Sequence, residues 1–338
     1  MTNKNMNWSG RKASPFILKP VGKNYLWGGR RLREEFGKDI AMTPLAETWE
    51  CSTHPDGPSI VSSGEFTGQT LDRVIKEHPE FLGRYATATG QLPIIVKLID
   101  AKENLSVQVH PDDDYANIHE NGQLGKSEMW YVLDASPDAH LVYGLWQDLD
   151  KDQMRSYIAD GSIEKYLQKV NIHKDDVFYI EAGTIHAIGA GALVAEIQEN
   201  SNLTYRLYDY NRIDKNGKKR QLHIERALEV ASLEKMSKPK QPMRVLRYGK
   251  GCARELLCRC KYFEVCRMIV NTEHNRELVS YYADQTSFRV LFCISGCGTI
   301  LMDQELPLHF FKGDCIFFPA NSKEVRIHGY AQFLDVKG

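Results

Sequence analysis

Short apolar or alternating segments, separated by Gly, Pro, Asn and Asp, follow one another along the chain from residue 91 onward. Examples are LPIIVKLIDA, LSVQVH, EMWYVLDA, DVFYIEAG and LTYRLYDY. Segments of this length and spacing are typical of β-sandwiches and β-barrels. Helical periodicity appears in only a few places, mainly TLDRVIKEHPEFLG and DKDQMRSYIADGSIEKYLQKV, with a shorter HIERALEVASLE. The pattern therefore predicts a mainly β fold with a small helical annex near residues 70–83 and 150–170.

A charged segment with two prolines, EKMSKPKQPMRV at residues 234–245, separates two β regions. It has no apolar period, so we place a domain boundary there, with an N-terminal domain of residues 1–238 and a C-terminal domain of residues 239–338. A chain of 338 residues, 42 % of them hydrophobic, can fill two cores.

An internal repeat supports this division. KDDVFYIEAGTIHAI in the first domain aligns without gaps on KGDCIFFPANSKEVRI near the C-terminus, and Glu324 of the second copy takes the position of His186. EMWYVLDASPDAHLVYG similarly resembles FRVLFCISGCGTILMD, where Phe288 takes the position of Glu128. The repeat predicts two related β domains, of which only the first keeps polar chemistry.

The net charge of -1 gives no general attraction to nucleic acid or anionic lipid. The segment MTNKNMNWSGRKAS lacks the apolar region of a secretory signal, and no apolar run approaches the roughly 18 residues that span a bilayer. We therefore expect a cytoplasmic protein without a nucleic-acid or membrane partner, and no obligate protein partner is evident.

Seven of the eight cysteines follow residue 250, where they replace ordinary strand residues. In a cytosolic protein of this size they are expected to be reduced. A zinc site built from Cys252, Cys258, Cys260 and Cys266 is the alternative, but their spacing lacks paired C-x₂-C knuckles. Buried free thiols are the favoured interpretation.

Three polar side chains occupy every second position of LSVQVHPDDDYA, namely Ser106, Gln108 and His110. Side chains two apart on a strand face the same way, so a hydroxyl, an amide and an imidazole share one face. The acidic residues 112–114 that follow resemble a metal cluster, but we expect them to cap a turn or the short helix of residues 115–119.

A second strand, GKSEMWYVL, places Lys126, Glu128 and Trp130 on one face, and AGTIHAIG carries His186 from a turn into a strand. Two imidazoles, one carboxylate and one amide oxygen suit a borderline divalent ion such as zinc. On spacing alone, hydrogen-bonded structural histidines remain the alternative.

These segments resemble type I phosphomannose isomerase in its short bacterial branch. The same resemblance extends to three further stretches: YLWGG at residues 25–29, AETWECSTHPDGPS at 46–59 and AGTIHAIGAGALVAEIQENSNLTYRLYDYNR. The resemblance runs from about residue 15 to the C-terminus. It implies two jelly-roll β-barrels of the cupin superfamily, the first of which binds one zinc ion while the second is degenerate.

The resemblance also implies roles for individual residues. The implied metal ligands are Gln108, His110, Glu128 and His186, the implied catalytic residues are Arg206, Glu196 and Lys126, and the implied substrate contacts are Ser106 and Lys126. One departure lies beside Lys126, where GKSEMW replaces the HKPEM of longer members.

The implied reaction interconverts mannose 6-phosphate and fructose 6-phosphate through a metal-stabilised cis-enediol. It needs charge stabilisation at O1 and O2, a proton carrier and a phosphate pocket. Glu196, Lys126 and a water on the metal are the open choices for the proton carrier. Glu196 also has a structural alternative, an exposed strand carboxylate paired with a lysine.

Arg206 is predicted to share a strand face with Thr204 and Tyr208. Its structural alternative is an ion pair with Asp209 or Asp214.

Two other functions compete with the isomerase: another metal-dependent cupin sugar enzyme, and a non-catalytic sugar-phosphate sensor. A protein that only binds a sugar does not need four metal ligands and Arg206 together, so their retention favours an enzyme. Turnover of the phosphosugar separates the first competitor from the isomerase.

Overall fold

The computed structural model describes residues 12–86, 90–213, 217–273 and 277–338. The strands of the first half are β1 (Phe16–Lys19), β2 (Val21–Lys23), β3 (Glu47–Cys51), β4 (Ile60–Val61), β5 (Ile94–Asp100), β6 (Val107–Val109), β7 (Glu128–Ala135), β8 (His140–Leu145), β9 (Leu167–Asn171), β10 (Val177–Ile180), β11 (His186–Ile188), β12 (Ala192–Glu199) and β13 (Tyr205–Tyr208). The strands of the second half are β14 (Arg247–Gly249), β15 (Cys252–Arg259), β16 (Glu264–Asn271), β17 (Val279–Tyr281), β18 (Arg289–Leu301), β19 (Leu308–Phe311), β20 (Cys315–Phe318) and β21 (Val325–Lys337). The predicted mainly β fold is confirmed.

The helices are short and lie between strands. They are α1 (Arg31–Phe36), α2 (Leu71–Glu77), α3 (Asp113–His119), α4 (Lys151–Asp160) and α5 (Ile224–Val230), with 3₁₀ turns at Pro79–Leu82 and Ser162–Lys165. Helices α2, α4 and α5 fall in the three segments with helical periodicity, so the predicted annex is confirmed.

Side-chain caps begin two of these helices. Asp112 accepts a hydrogen bond from the backbone N–H of Tyr115 at 2.8 Å, which confirms the predicted capping role of this acidic stretch. Asp150 and Gln153 form a reciprocal capping box at the start of α4. Gly161, with a φ of 78°, then ends α4 in the left-handed conformation that favours glycine.

The strands pair antiparallel in three sheets. A six-stranded sheet has the order β10-β7-β12-β5-β3-β2, and a five-stranded sheet has the order β13-β6-β11-β8-β9. A ten-stranded sheet follows the order β14-β15-β16-β21-β18-β20-β1-β4, with β17 on β21 and β19 on β18. The first two sheets face each other as one cupin-type jelly-roll unit, and the ten-stranded sheet curls around a second core.

Strand β5 is buried on both faces, which explains the continuous apolar run IIVKLID. Ile94, Val96 and Leu98 pack toward the ten-stranded sheet, whereas Ile99 packs toward the five-stranded sheet. Lys97 lies on the same side as Ile99 and is the one basic residue within this run.

The five-stranded sheet is also covered on both faces. One face meets the six-stranded sheet through a core that includes Leu141, Ile188 and Trp130. The other face, with Val107 and Val109, packs against α4 and α5. The helical annex therefore closes the side of the jelly roll that β6 would otherwise expose to water.

The second unit is joined to the first by a continuous apolar core. Along β18, Val290 and Phe292 contact this shared core, while Leu291 and Cys293 point into the interior of the second unit. Strands β1 and β4 also join the ten-stranded sheet, so this sheet uses residues from both sides of the boundary at residues 238/239. That boundary remains a prediction.

The second copy of the repeat carries apolar or exposed residues at the positions of the first copy's polar residues. Phe288 is buried and stacks on Phe317 with ring centroids 5.5 Å apart, and Glu324 is exposed. All eight cysteines are free thiols, as predicted, and within the described ranges they contribute to no metal-binding group. The predicted burial holds only for Cys51, Cys293 and Cys315, and Cys297 is exposed. Across those ranges no helix combines the length and apolar character required to span a membrane.

Replacing Phe292 by Ala tests the structural role of the shared core. We expect a loss of about 3 to 5 kcal/mol in the free energy of unfolding, because this fully buried ring fills the contact between the units. Phe311→Ala is the matched control, since Phe311 is 61 % exposed on neighbouring β19, and its cost should stay within about 0.5 kcal/mol. Urea unfolding measures both values, and equal costs would refute the assignment.

Candidate active site

Three ionisable side chains converge between the six- and five-stranded sheets. His110 directly follows β6, Glu128 begins β7 and His186 begins β11. All three are buried, and one ligand atom from each lies within 4.8 Å of the others. Glu128 Oε1 is 3.3 Å from His186 Nε2, and Glu128 Oε2 is 3.6 Å from His110 Nε2. The fold thus brings these distant positions to one point.

Gln108 lies beside this group. It is the antiparallel partner of His186 on β11 and of Arg206 on β13. Its Nε2 atom is 3.3 Å from His186 Nε2. A half-turn of the amide exchanges its nitrogen and oxygen, so the Gln108 amide can offer an oxygen at the same place.

Both histidines are held in the neutral form. His186 Nδ1 lies 2.8 Å from the Thr184 carbonyl oxygen, which can only accept, so the proton resides on Nδ1 and the lone pair on Nε2. Burial, with a smaller effect of Lys126, lowers the pKa of His186 to about 4. Burial and the charge of Lys126 also lower the pKa of His110 well below its ordinary value. Neutral imidazole is the form that ligates metals.

Buried polar atoms without hydrogen bonds point to a bound cation. Among the described residues, neither carboxylate oxygen of Glu128 nor Nδ1 of His110 has a hydrogen-bond partner. The Lys126 ammonium lies 2.7 Å from Glu128 Oε2 and 2.9 Å from His110 Nε2. Its contact with Glu128 is an ion pair whose geometry does not meet that of a hydrogen bond. Burial, together with the nearby Glu196, raises the pKa of Glu128 to about 7. Such a carboxylate is costly to bury alone, and a divalent ion fits this donor set.

A cavity of about 280 Å³ opens beside the group. The predicted residues Ser106, Gln108, Lys126, Glu196 and Arg206 all line it. The structure therefore brings the predicted catalytic and substrate-contact positions to one cavity, next to the predicted metal ligands.

Glu196 is a buried member of an ion pair. Its Oε1 is 3.2 Å from the Lys97 ammonium, and its Oε2 accepts a hydrogen bond from Trp130 Nε1 at 2.9 Å. Burial alone would raise the pKa of Glu196, but Lys97, Lys126 and the Trp130 bond outweigh it and lower that pKa. The lysine partner considered from the sequence exists, but the carboxylate is buried and not exposed.

Arg206 is held in the wall of the cavity by two hydrogen bonds. Its Nε donates to Ser106 Oγ at 3.2 Å and its Nη1 donates to the Gln221 carbonyl at 2.8 Å. Burial and the neighbouring charge of Arg220 lower the pKa of Arg206 from its ordinary value. The guanidinium is thus fixed in place by neutral acceptors.

The structural alternative for Arg206, an ion pair with Asp209, is wrong. Asp209 instead pairs with Arg212 and Arg220. The other suggested partner, Asp214, lies outside the described residues.

The predicted common face of Thr204, Arg206 and Tyr208 holds only in part. Thr204 and Arg206 line the cavity. Tyr208 packs in the core beneath the helices, and its hydroxyl donates to Glu164 at 3.1 Å. The pairing register of β13 shifts between Arg206 and Tyr208, which breaks the two-residue alternation.

Comparison with known proteins identifies the chain. The family model for the catalytic domain of type I phosphomannose isomerase matches residues 16–140. A probable mannose-6-phosphate isomerase of Bacillus subtilis, GmuF, is 38 % identical over 323 residues, which span 95 % of this chain and 98 % of that protein. The chain belongs to the type I phosphomannose isomerase family. The mannose-6-phosphate isomerase ManA of the same organism is 36 % identical over 320 residues, 95 % of this chain and 98 % of the relative.

Solved structures of this family share the fold. A crystal structure of the mannose 6-phosphate isomerase from Bacillus subtilis has a TM-score of 0.86 and 34 % identity, and covers 96 % of this chain and 99 % of that one. A phosphomannose isomerase mutant from Salmonella typhimurium has a TM-score of 0.74 at 17 % identity, with 96 % and 100 % coverage. The second likeness extends to the fold alone.

Sequence reasoning missed several residues of the cavity. Lys97, Glu47, Tyr25 and Arg220 line it but were assigned no role. Lys97 had a usable signal, because it is a charge in the middle of a strand whose five neighbouring residues are apolar. Arg220 follows a polar stretch of sequence and has no such pattern, so only the tertiary structure places it.

A double-mutant cycle tests the buried pair of Lys97 and Glu196. Lys97→Met should cost about 3 to 5 kcal/mol in unfolding free energy, because it leaves a buried carboxylate without its main cation. Adding Glu196→Gln should recover part of that loss. Lys76→Met is the control, since Lys76 pairs with Asp72 on an exposed face. Additive effects of the two buried substitutions in denaturant unfolding would rule out the coupling.

Proposed function

We propose that this protein interconverts D-mannose 6-phosphate and D-fructose 6-phosphate. One observation carries the proposal: the buried group of His110, Glu128 and His186 contacts Gln108 and Lys126, which line a cavity together with Glu196 and Arg206. The near full-length similarity to mannose-6-phosphate isomerases supports it. No observation on the described residues favours the other cupin enzyme or the sensor.

Gln108, His110, Glu128 and His186 are proposed to hold one divalent ion. Neutral imidazoles, a carboxylate and an amide oxygen favour zinc, which takes nitrogen and oxygen ligands. When bound, the ion supplies positive charge that polarises the substrate's carbonyl and hydroxyl oxygens. Lys126, which contacts Glu128 and His110, would compete with the ion for these two acceptors.

Glu196 is the proposed proton carrier. Its lowered pKa keeps it ionised at neutral pH, as a base requires. It takes the proton from C2 of the open-chain aldose, and the C–H electron pair forms the C1–C2 double bond while O1 gains a proton. The resulting cis-enediol then loses the O2 proton and accepts a proton at C1, which gives the ketose.

Arg206 and Lys126 are proposed to stabilise the negative charge that develops on the substrate oxygens. Both side chains line the cavity, and Ser106 orients Arg206 through the bond to Nε. Preorganised cations act most strongly where water is excluded. Ser106 and Lys126 are also proposed to contact the substrate directly.

A cytoplasmic location is part of the proposal. The eight free thiols suit a reducing compartment.

The substrate is a phosphosugar.

Metal removal should abolish turnover. Chelation with dialysis is expected to remove about one ion per chain, and added zinc should restore activity. His186→Ala should lower the bound metal measured by mass spectrometry, whereas His173→Ala should not, because His173 is exposed, contacts Asp176 and is not part of the His110, Glu128 and His186 group. A fully active preparation without metal would overturn this assignment.

Arg206→Ala should lower kcat on the order of 10²- to 10³-fold with little change in KM, because it removes charge stabilisation that matters mainly in the transition state. Metal content should remain intact. Arg73→Ala, on the exposed face of α2, is the control and should leave both constants unchanged. Normal kcat with a raised KM would make Arg206 a substrate anchor, and unchanged kinetics would leave it a structural role only.

A further inference from the structure

Two acidic side chains hold the backbone on either side of Lys126. The Gly125 N–H donates to Asp113 Oδ1 at 3.0 Å, and the Ser127 N–H donates to Glu199 Oε1 at 2.7 Å. The Glu199 N–H donates in return to the Ser127 carbonyl at 3.1 Å. Asp113 begins helix α3 and Glu199 ends β12. The segment that carries Lys126 to the cavity is therefore held by side chains from two other elements.

The same segment packs directly on the start of α3. A Cβ atom placed on Gly125 would collide with backbone atoms of Asp112 and Asp113. Glycine is the residue that permits so close an approach of two backbones. A displacement of the start of α3 is therefore passed on to the backbone next to Lys126.

Glu128, the neighbouring proposed metal ligand, is fixed in a different way. It lies within β7, where it pairs with Ile180 on β10 and with Gln198 on β12. Lys126 lies two residues before this strand, and its N–H bonds to the Pro111 carbonyl at 3.0 Å. The two acidic side chains thus control the position of Lys126 more than that of Glu128.

Asp113 and Glu199 are also in hydrogen-bond contact with each other. Two carboxyl groups make such a bond only when one of them carries a proton. Burial and the neighbouring Asp113 raise the pKa of Glu199 to about 8, against the opposing effect of the Ser127 N–H. Burial would raise the pKa of Asp113, but hydrogen bonds from the Gly125 N–H and from Glu199 outweigh it and lower that pKa. Near neutral pH the proton therefore resides on Glu199, which donates to Asp113.

The other ionisable groups around this pair come from β10 and from the segment between β15 and β16, and they are Tyr179, Cys260, Lys261 and Tyr262. Burial raises the pKa of both tyrosines and of Cys260, so these three groups stay neutral while Glu199 titrates. The Lys261 ammonium lies 3.4 Å from Asp113 Oδ2 on an exposed side chain. A solvent-screened charge of this kind has a weak effect on the pair.

We propose that Asp113 and Glu199 are positioning residues that hold Lys126 toward the substrate by sharing one proton. This rests on the proposed function, in which Lys126 contacts the substrate and stabilises its developing charge. While the proton is shared, the two carboxyl groups attract each other and keep Gly125 and Ser127 in fixed positions. Loss of the proton places two negative charges side by side, and their repulsion loosens the segment.

The pH dependence of turnover tests the proposal through amide variants. Wild-type kcat should fall above about pH 8, as Glu199 ionises. Glu199→Gln offers an acceptor to the Ser127 N–H and a donor to Asp113 at every pH, so it should keep kcat at pH 7 within about threefold and lack this fall. Asp113→Asn should remove the fall from the other side of the pair. Asp114→Asn is the control, because Asp114 is the next residue of α3 and is exposed, and it should keep the wild-type profile.

Glu199→Ala removes the support altogether. Its kcat at pH 7 should fall about 10- to 100-fold, because a reacting group that is displaced by a fraction of its reach loses its orientation. Bound metal should stay at the wild-type level, since the strand pairing of β7 holds Glu128. Unchanged kcat would contradict the proposal, and so would a loss of metal that accounts for the loss of kcat. If thermal unfolding shows that the alanine variant does not fold, the amide variants decide.

Infrared difference spectroscopy of the metal-loaded protein gives a readout that does not need turnover. On titration from about pH 6 to about pH 10, the wild type should lose the band of one protonated carboxyl group with a midpoint near pH 8. The band should be absent from Glu199→Gln, and its midpoint should fall in Asp113→Asn, because an amide donor stabilises ionised Glu199.

A wild type without this band would overturn the proposal, as would identical pH profiles of kcat in the wild type and Glu199→Gln. If the wild type does not isomerise the sugar phosphate, the proposed function fails. The infrared titration then decides by itself whether Asp113 and Glu199 share a proton.

Discussion

Charge balance inside the jelly roll is the constraint on which the rest of the site depends. Lys97, Lys126, Glu128 and Glu196 are all buried between the six- and five-stranded sheets. Each ammonium lies within about 3.2 Å of a carboxylate, so the group is neutral as a whole. Buried charges persist only when paired in this way. A divalent cation and a phosphate dianion add opposite charges of similar size, so the two together preserve the balance.

The layered architecture keeps these groups in fixed positions. Strand β5 carries Lys97 toward the cavity, while its opposite face is locked into the core shared with the ten-stranded sheet. The second unit contributes Phe288 to that core at the position where the first copy of the repeat has Glu128. Its function in the fold is therefore to provide a rigid wall behind the site, which is what preorganised electrostatics requires.

The two ends of the cavity differ in how their cations are held. At the inner end, lysines pair with carboxylates that belong to the site itself. At the outer end, Asp209 lies beside the cavity and fixes Arg220 from behind. A paired ammonium can exchange partners, whereas a braced guanidinium presents a constant donor edge.

Local sequence determined the strands, the three helical segments and the alternating face of Ser106, Gln108 and His110, because these depend on two-residue and 3.6-residue periodicity. It also determined the cap at Asp112, because a cap depends on a hydrogen bond to a backbone N–H three residues later. The resemblance to a family supplied Glu128, His186, Glu196 and Arg206 as one set.

Only the tertiary structure decided what long-range contacts control. Lys97 pairs with Glu196 and Arg220 pairs with Asp209, and a shift in strand register turns Tyr208 away from Arg206. Ion-pair partners far apart in the chain, and the register of a short strand, are set by packing against other elements, and no local pattern encodes them.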